Sequence, residues 1–139
     1  MSIIEEYGAL SDRFFFGEED FEFALRMKKA KKTMICVFGA IAYHKVGRSI
    51  DTTNINALVG KIYINYLNRF INMRGYWPKP VWWMWRLSYC LYIVPMVKFR
   101  YRLPTLSILQ LVSSLIADST NLDRVDREKF SDALGREFR

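Results

Sequence analysis

A chain of 139 residues, 51% hydrophobic and 16% aromatic, is one compact unit with room for a modest core and none for a two-domain enzyme. That apolar and aromatic content excludes intrinsic disorder, and two cysteines, Cys36 and Cys90, exclude a disulfide scaffold. The net charge of +7 is unevenly spread: residues 1–24 carry −6, residues 25–103 carry +14 with Asp51 as their single acid, and residues 104–139 carry −1.

Residues 1–17 read as an acidic N-terminal segment. They hold no basic n-region and no continuous apolar run, and Arg13 is the only base before Arg26, so neither a secretory signal nor an Arg-rich transit peptide is expected. No Asn-x-Ser/Thr site occurs along the chain. A first long helix is expected from Glu18 to about Val46, with Glu18, Glu19, Asp20 and Glu22 complementing its dipole. Its apolar stripe is Phe23, Met27, Ala30, Met34, Val37/Phe38 and Ile41, and Gly47 stops it. Arg48–Asn54 reads as a connector rich in capping residues.

A second helix is expected over about Asn54–Arg74, with Ile55, Leu58/Val59, Ile62, Tyr66, Phe70 and Met73 inward. Lys61, Asn65, Asn68 and Asn72 make a polar stripe opposite, and Gly75 ends the helix. Pro78 and Pro80 break the chain, and Pro80 suits the first turn of a third helix running to about Val94, before Pro95. Pro104 opens a fourth helix to about Ala117, which ends over Asp118–Asn121. A charged tail, 118–139, holds a last short helix over Asp123–Phe138 with a thin stripe at Val125, Phe130, Leu134 and Phe138. The fold class is therefore all-α: a single domain of four to five helices in a small bundle.

Two apolar runs raise the question of a membrane. Val81–Val97 is seventeen residues with one charge, Arg86, and Leu103–Ala117 is fifteen without charge. As helices they would reach ~25 and ~22 Å, short of a ~30 Å hydrocarbon core. Trp77, Trp82, Trp83 and Trp85 cluster at the start of the first run as an interfacial belt would, and Lys98, Arg100 and Arg102 lie between the runs. Lys28, Lys29, Lys31 and Lys32 precede a third apolar stretch, Thr33–Tyr43, where long side chains can snorkel to head groups. These features point to a shallow hairpin within 81–117 that embeds one or two helices marginally, its basic turn on an anionic surface. The competing expectation is a wholly water-borne bundle in which Trp82, Trp85, Tyr89 and Tyr92 line the core. Arg86 favours it, because a charge in mid-run costs ~3 kcal/mol in lipid.

Catalytic and metal constellations are missing from the sequence pattern. His44 is the single histidine, and Cys36 lies eight residues away, ~12 Å along a helix, too far for a nucleophile–base pair. Two cysteines and one histidine do not close a zinc site, and one histidine does not supply a bis-His haem. No GxxxxGK[ST], GxGxxG or GxSxG occurs. Asp118, Asn121, Asp123 and Asp126 lack the glycine and glutamate of a calcium loop and read as helix caps. No enzyme activity and no cofactor are expected.

The basic middle calls for an anionic partner. By analogy with small basic helical proteins, the expectation is a non-catalytic accessory subunit of a membrane complex, in the mitochondrial inner membrane, serving the respiratory chain or ATP synthase. Its lipid- or partner-binding residues are Lys28, Lys29, Lys31, Lys32, Trp82, Trp83, Trp85, Arg86, Lys98, Arg100 and Arg102, and Asn65, Asn68 and Asn72 pack against a partner helix. Two alternatives share the same residues. One is a peripheral protein of viral matrix type that binds anionic membranes through a basic face. The other is an RNA-associated or ribosomal accessory protein, whose bases meet phosphates while Tyr76, Trp77, Phe99 and Tyr101 stack on nucleobases.

Overall fold

The computed structural model describes residues 2–43 and 54–136. The expectations for His44, Val46, Gly47, the connector over 48–53 and Phe138 lie outside these residues. Six helices occur among those described: α1 (Ile3–Tyr7), α2 (Glu19–Lys29), α3 (Ile55–Tyr76), α4 (Lys79–Tyr101), α5 (Thr105–Asn121) and α6 (Arg127–Gly135). The all-α fold follows the helical periodicity of the sequence.

Helix α3 is the axis of the molecule, packed against α4, α5 and α6. Asn54 caps its first turn through the Asn56 amide at 2.8 Å. The helix passes through Gly75, expected to end it, and stops at Trp77 before Pro78. Val59, Ile62, Tyr63, Ile64, Leu67, Phe70 and Ile71 are all buried on it, a wider arc than one amphipathic stripe.

That arc corrects the polar stripe. Asn65 is exposed, but Asn68 and Asn72 are 1% and 4% exposed and serve this chain instead of a partner helix. Asn68 Nδ2 donates to the Phe16 carbonyl at 2.7 Å, and Asn72 Nδ2 donates to Glu18 Oε1 at 3.0 Å. Gly17 and Glu18 both take left-handed backbone, φ +70° and +78°. Glu18 is held in that disfavoured conformation by its ion pair with Arg69 at 2.6 Å and by Asn72. The acidic head is thus strapped to α3. Phe14 is buried in the main core, and Phe15 and Arg13 pair with Val125 through amide–carbonyl bonds of 2.9 and 2.8 Å.

The first long helix is also corrected. Helix α2 ends at Lys29, and Lys31 takes a left-handed φ of +55°. Thr33, Ile35 and Val37 are β-branched and cost helix propensity, and the stripe expected through Met34, Val37, Phe38 and Ile41 meets no core. Residues 33–43 form no regular helix and lie exposed.

Three other boundaries move. Helix α4 continues through Pro95, which sits on the exposed side while Ile93 and Val97 on either side are fully buried. Their burial, ~1.5–3 kcal/mol each, offsets the hydrogen bond that proline removes. Helix α5 runs one turn beyond Ala117, and α6 starts only after Asp126, whose side chain accepts from the Lys129 amide at 3.0 Å.

The α3–α6 contact is closest at Gly60, where an added Cβ would collide with the Ala133 carbonyl backbone. We expect Gly60→Ala to lower stability by ~1–3 kcal/mol in urea denaturation. Gly135→Ala, with open space around it and no positive φ, serves as the control and leaves stability unchanged or raised. Equal effects of the two substitutions would refute the close α3–α6 packing.

Candidate docking surface on the helical hairpin and the lysine segment

Helices α4 and α5 form an antiparallel hairpin closed by Arg102, Leu103 and Pro104. Arg102 takes a left-handed φ of +53° and Leu103 is buried, which fixes the turn. The expected hairpin therefore exists. However, no helix among the described residues is long and apolar enough to cross a membrane.

The tryptophans separate by role. Trp82 is buried and its indole N–H donates to the Phe70 carbonyl at 2.9 Å. Trp85 is half-buried, stacked on Tyr89 with centroids 4.9 Å apart, and Tyr66 and Phe70 of α3 meet the same pair edge-on. Trp77 and Trp83 are exposed. Half of the belt expected at the start of the third helix, Trp82 and Trp85, is thus an aromatic seam between α3 and α4.

Arg86 is 2% exposed. Its guanidinium lies 4.3 Å from the Trp82 ring and 3.9 Å from that of Trp83. Nη1 donates to the Ile116 carbonyl at 3.1 Å, Ser119 Oγ at 3.0 Å and Thr120 Oγ1 at 2.7 Å. Arg74 closes the same helix end, donating to the carbonyls of Ser119, Thr120 and Leu122 at 2.9, 2.6 and 2.7 Å and pairing with Asp123. Helix α5 has no basic residue in its own last turn; two arginines from α3 and α4 supply the positive charge its C-terminus favours. Burial holds the Arg86 guanidinium below its usual value, and burial pushes the adjacent Cys90 thiol up, which keeps that thiol protonated and unreactive.

The outer faces of the hairpin are apolar. Val81, Trp83, Met84, Leu87 and Leu91 on α4, and Leu106, Leu109 and Ile116 on α5, are exposed. Ser88 turns its hydroxyl back to the Met84 carbonyl, and Ser113 does the same to Gln110. No carboxylate occurs between Asp51 and Asp118. The hairpin tip carries Lys98, which donates to Thr105 at 2.9 Å, together with exposed Arg100 and Arg102.

The second apolar surface is the segment after α2. Ile35 is 83% exposed, Phe38 97% and Tyr43 96%, alongside exposed Met34, Val37 and Ile41. Lys28, Lys29 and Lys31 before it are exposed, whereas Lys32 pairs with Glu6 at 3.7 Å and lies over the Tyr7 ring. Sequence reasoning placed these apolar groups inside a helix stripe; the β-branched run and Gly39 were the signal against it. It also passed over Arg74, which its pattern does not distinguish from any helix-terminal base.

Comparison with protein-family models, curated proteins and solved structures finds no match to this chain. The surface itself carries the functional argument. Among the described residues no group of three or more His, Cys, Asp or Glu side chains is placed to hold a metal.

The aromatic seam has a measurable alkaline signature. Burial pushes Tyr66 up to about 12, with Tyr89, Tyr92 and Tyr101 adding to the shift. Burial and the bond to Asp118 push Tyr63 up further. An unfolded tyrosine ionises near ~10, so the unfolded chain loses these protons first. The stability they contribute is complete below pH ~10 and is lost as pH rises through the folded values. Absorbance titration should show a late-ionising fraction among the eight tyrosines, coincident with alkaline unfolding. Tyr66→Phe should reduce that fraction; ionisation of all tyrosines near ~10 in the folded protein would exclude the buried seam.

Proposed function

We propose that the protein is a non-catalytic accessory subunit that seats at the surface of an anionic membrane and binds a membrane complex there. The observation that carries this reading is the exposed apolar segment 33–43 set directly after Lys28, Lys29 and Lys31. Exposed apolar groups of this size mark interaction surfaces. Cations beside them select a surface that is both apolar and negative, which is the boundary between lipid head groups and acyl chains.

The hairpin supports the same reading. Its outer apolar side chains would lie in the interface plane, with Arg100 and Arg102 at the tip meeting phosphates. Helices of this kind lie on a bilayer and need not span it. The mitochondrial inner membrane, anionic and dense in complexes, is the compartment this proposal carries forward. Partner subunits would cover whatever part of the apolar surface lipid does not.

Sedimentation with vesicles tests the proposal. The protein should bind phosphatidylglycerol-containing vesicles, bind neutral phosphatidylcholine vesicles weakly, and release as salt is raised. Each lysine near an anionic surface is worth ~1 kcal/mol, so reversing Lys28, Lys29 and Lys31 to Glu should weaken binding by ~100-fold or more. Phe38→Glu together with Ile35→Glu should remove it while leaving the helical fold intact. Equal binding to both kinds of vesicle, or no binding to either, would refute membrane docking. Steep salt-dependent binding to RNA in their place would favour the nucleic-acid alternative.

A further inference from the structure

Between α4 and α5 lies an open cleft of about 360 Å³, lined by Trp83, Met84, Arg86, Leu87, Cys90 and Ile116. That volume falls in the range of sites for small ligands, ~300–1,000 Å³. Five of the six lining side chains are apolar or weakly polar, and the sixth is a guanidinium. Among the described residues, no carboxylate lies within ion-pair distance of Arg86, and every hydrogen bond it makes uses Nη1. Its Nε and Nη2 edge makes none. The neighbouring charge that acts on it from α3 is Arg74, of like sign. A buried cation without a counter-charge is costly, and the fork of an arginine edge matches a carboxylate or phosphate through two parallel bonds.

We propose that this cleft binds a single-chain amphiphile with an anionic head, of the long-chain carboxylate or alkyl phosphate class. The head pairs with the Nε/Nη2 edge of Arg86, and the chain lies along Leu87, Cys90 and Ile116. Trp83 forms one wall, so occupancy is visible in indole fluorescence. The site takes one molecule in a cleft; Trp83, Met84, Leu87 and Ile116 also belong to the outer hairpin face, whereas the lysine segment of residues 28–43 contributes nothing to it.

The probe is 6-bromoundecanoate, used below its micelle concentration, whose mid-chain bromine stays near the head group and quenches an indole on contact. Saturable quenching is expected, with competition by undecanoate and by undecyl phosphate, the tighter of the two assigning the head. Neutral undecanol should compete at least ~10-fold more weakly, a difference of 1.4 kcal/mol. Ile116→Phe, on the exposed side of the wall, fills the cleft, leaves Arg86 and its bonds in place, and should abolish quenching without lowering the melting temperature. Arg86→Lys keeps the charge, loses the fork, and should weaken the carboxylate and leave undecanol unchanged. Quenching that never saturates, undecanol competing as well as undecanoate, or full binding by Ile116→Phe would each overturn the proposal. Binding of the bromo acid by a protein that fails to dock on vesicles would refute the docking surface and leave the cleft standing.

Discussion

The bundle depends on how the C-terminus of α5 is closed. A helix end inside a packed fold leaves carbonyls that must find donors, and α5 brings no cation of its own. Arg74 from α3 and Arg86 from α4 both reach that end, so one set of carbonyls and hydroxyls joins the three longest helices. The positions of Trp82, Trp83 and Cys90 follow, since all lie within a turn of Arg86 on α4. The same arginine that knits the core also lines an apolar cleft, so stability and the candidate ligand site share a residue.

A second polar cluster performs a similar service close by. The Tyr63 hydroxyl donates to Asp118, which also takes Lys129 at 3.1 Å and approaches Arg136 at 3.9 Å. Asp118 thereby links α3, α5 and α6. Because its charge is shared among donors, this group is far from the solvated cap that its place at a helix end suggested. Buried polar clusters of this sort tolerate little rearrangement, because each missing donor leaves another group unsatisfied.

Much of the fold was legible because periodicity and proline are local signals. Helix α3 shows its repeat over five turns, and Pro80 and Pro104 mark the starts of α4 and α5 to within a residue or two. What was illegible depends on tertiary partners. Asn68 and Asn72 look like a solvated stripe until the acidic head folds over them. Arg86 looks misplaced in an apolar run until the polar end of α5 is set beside it. The segment 33–43 carries a helical spacing of apolar residues, yet spacing alone cannot report that no surface awaits them. For the candidate site, the lysines and the hairpin tip were read from sequence, while the cleft was not, since its walls come from two helices and its residues are ordinary core types.

The strap of the acidic head over α3 has a consequence for the order of assembly. Phe14 joins a core whose other members begin at Val59, and its backbone neighbours bond to Val125, more than a hundred residues later. Residues 13–16 therefore leave a ribosome more than a hundred residues ahead of the partner they pair with, at synthesis rates of ~5–20 residues per second. Until Val125 and Phe130 have been made, Phe14, Phe15 and Phe16 lack part of their seat. Loop closure over this span makes the N-terminal strap a late, entropically expensive step. The fold is thus closed by a contact that joins residues 13–15 to Val125 across most of the described chain.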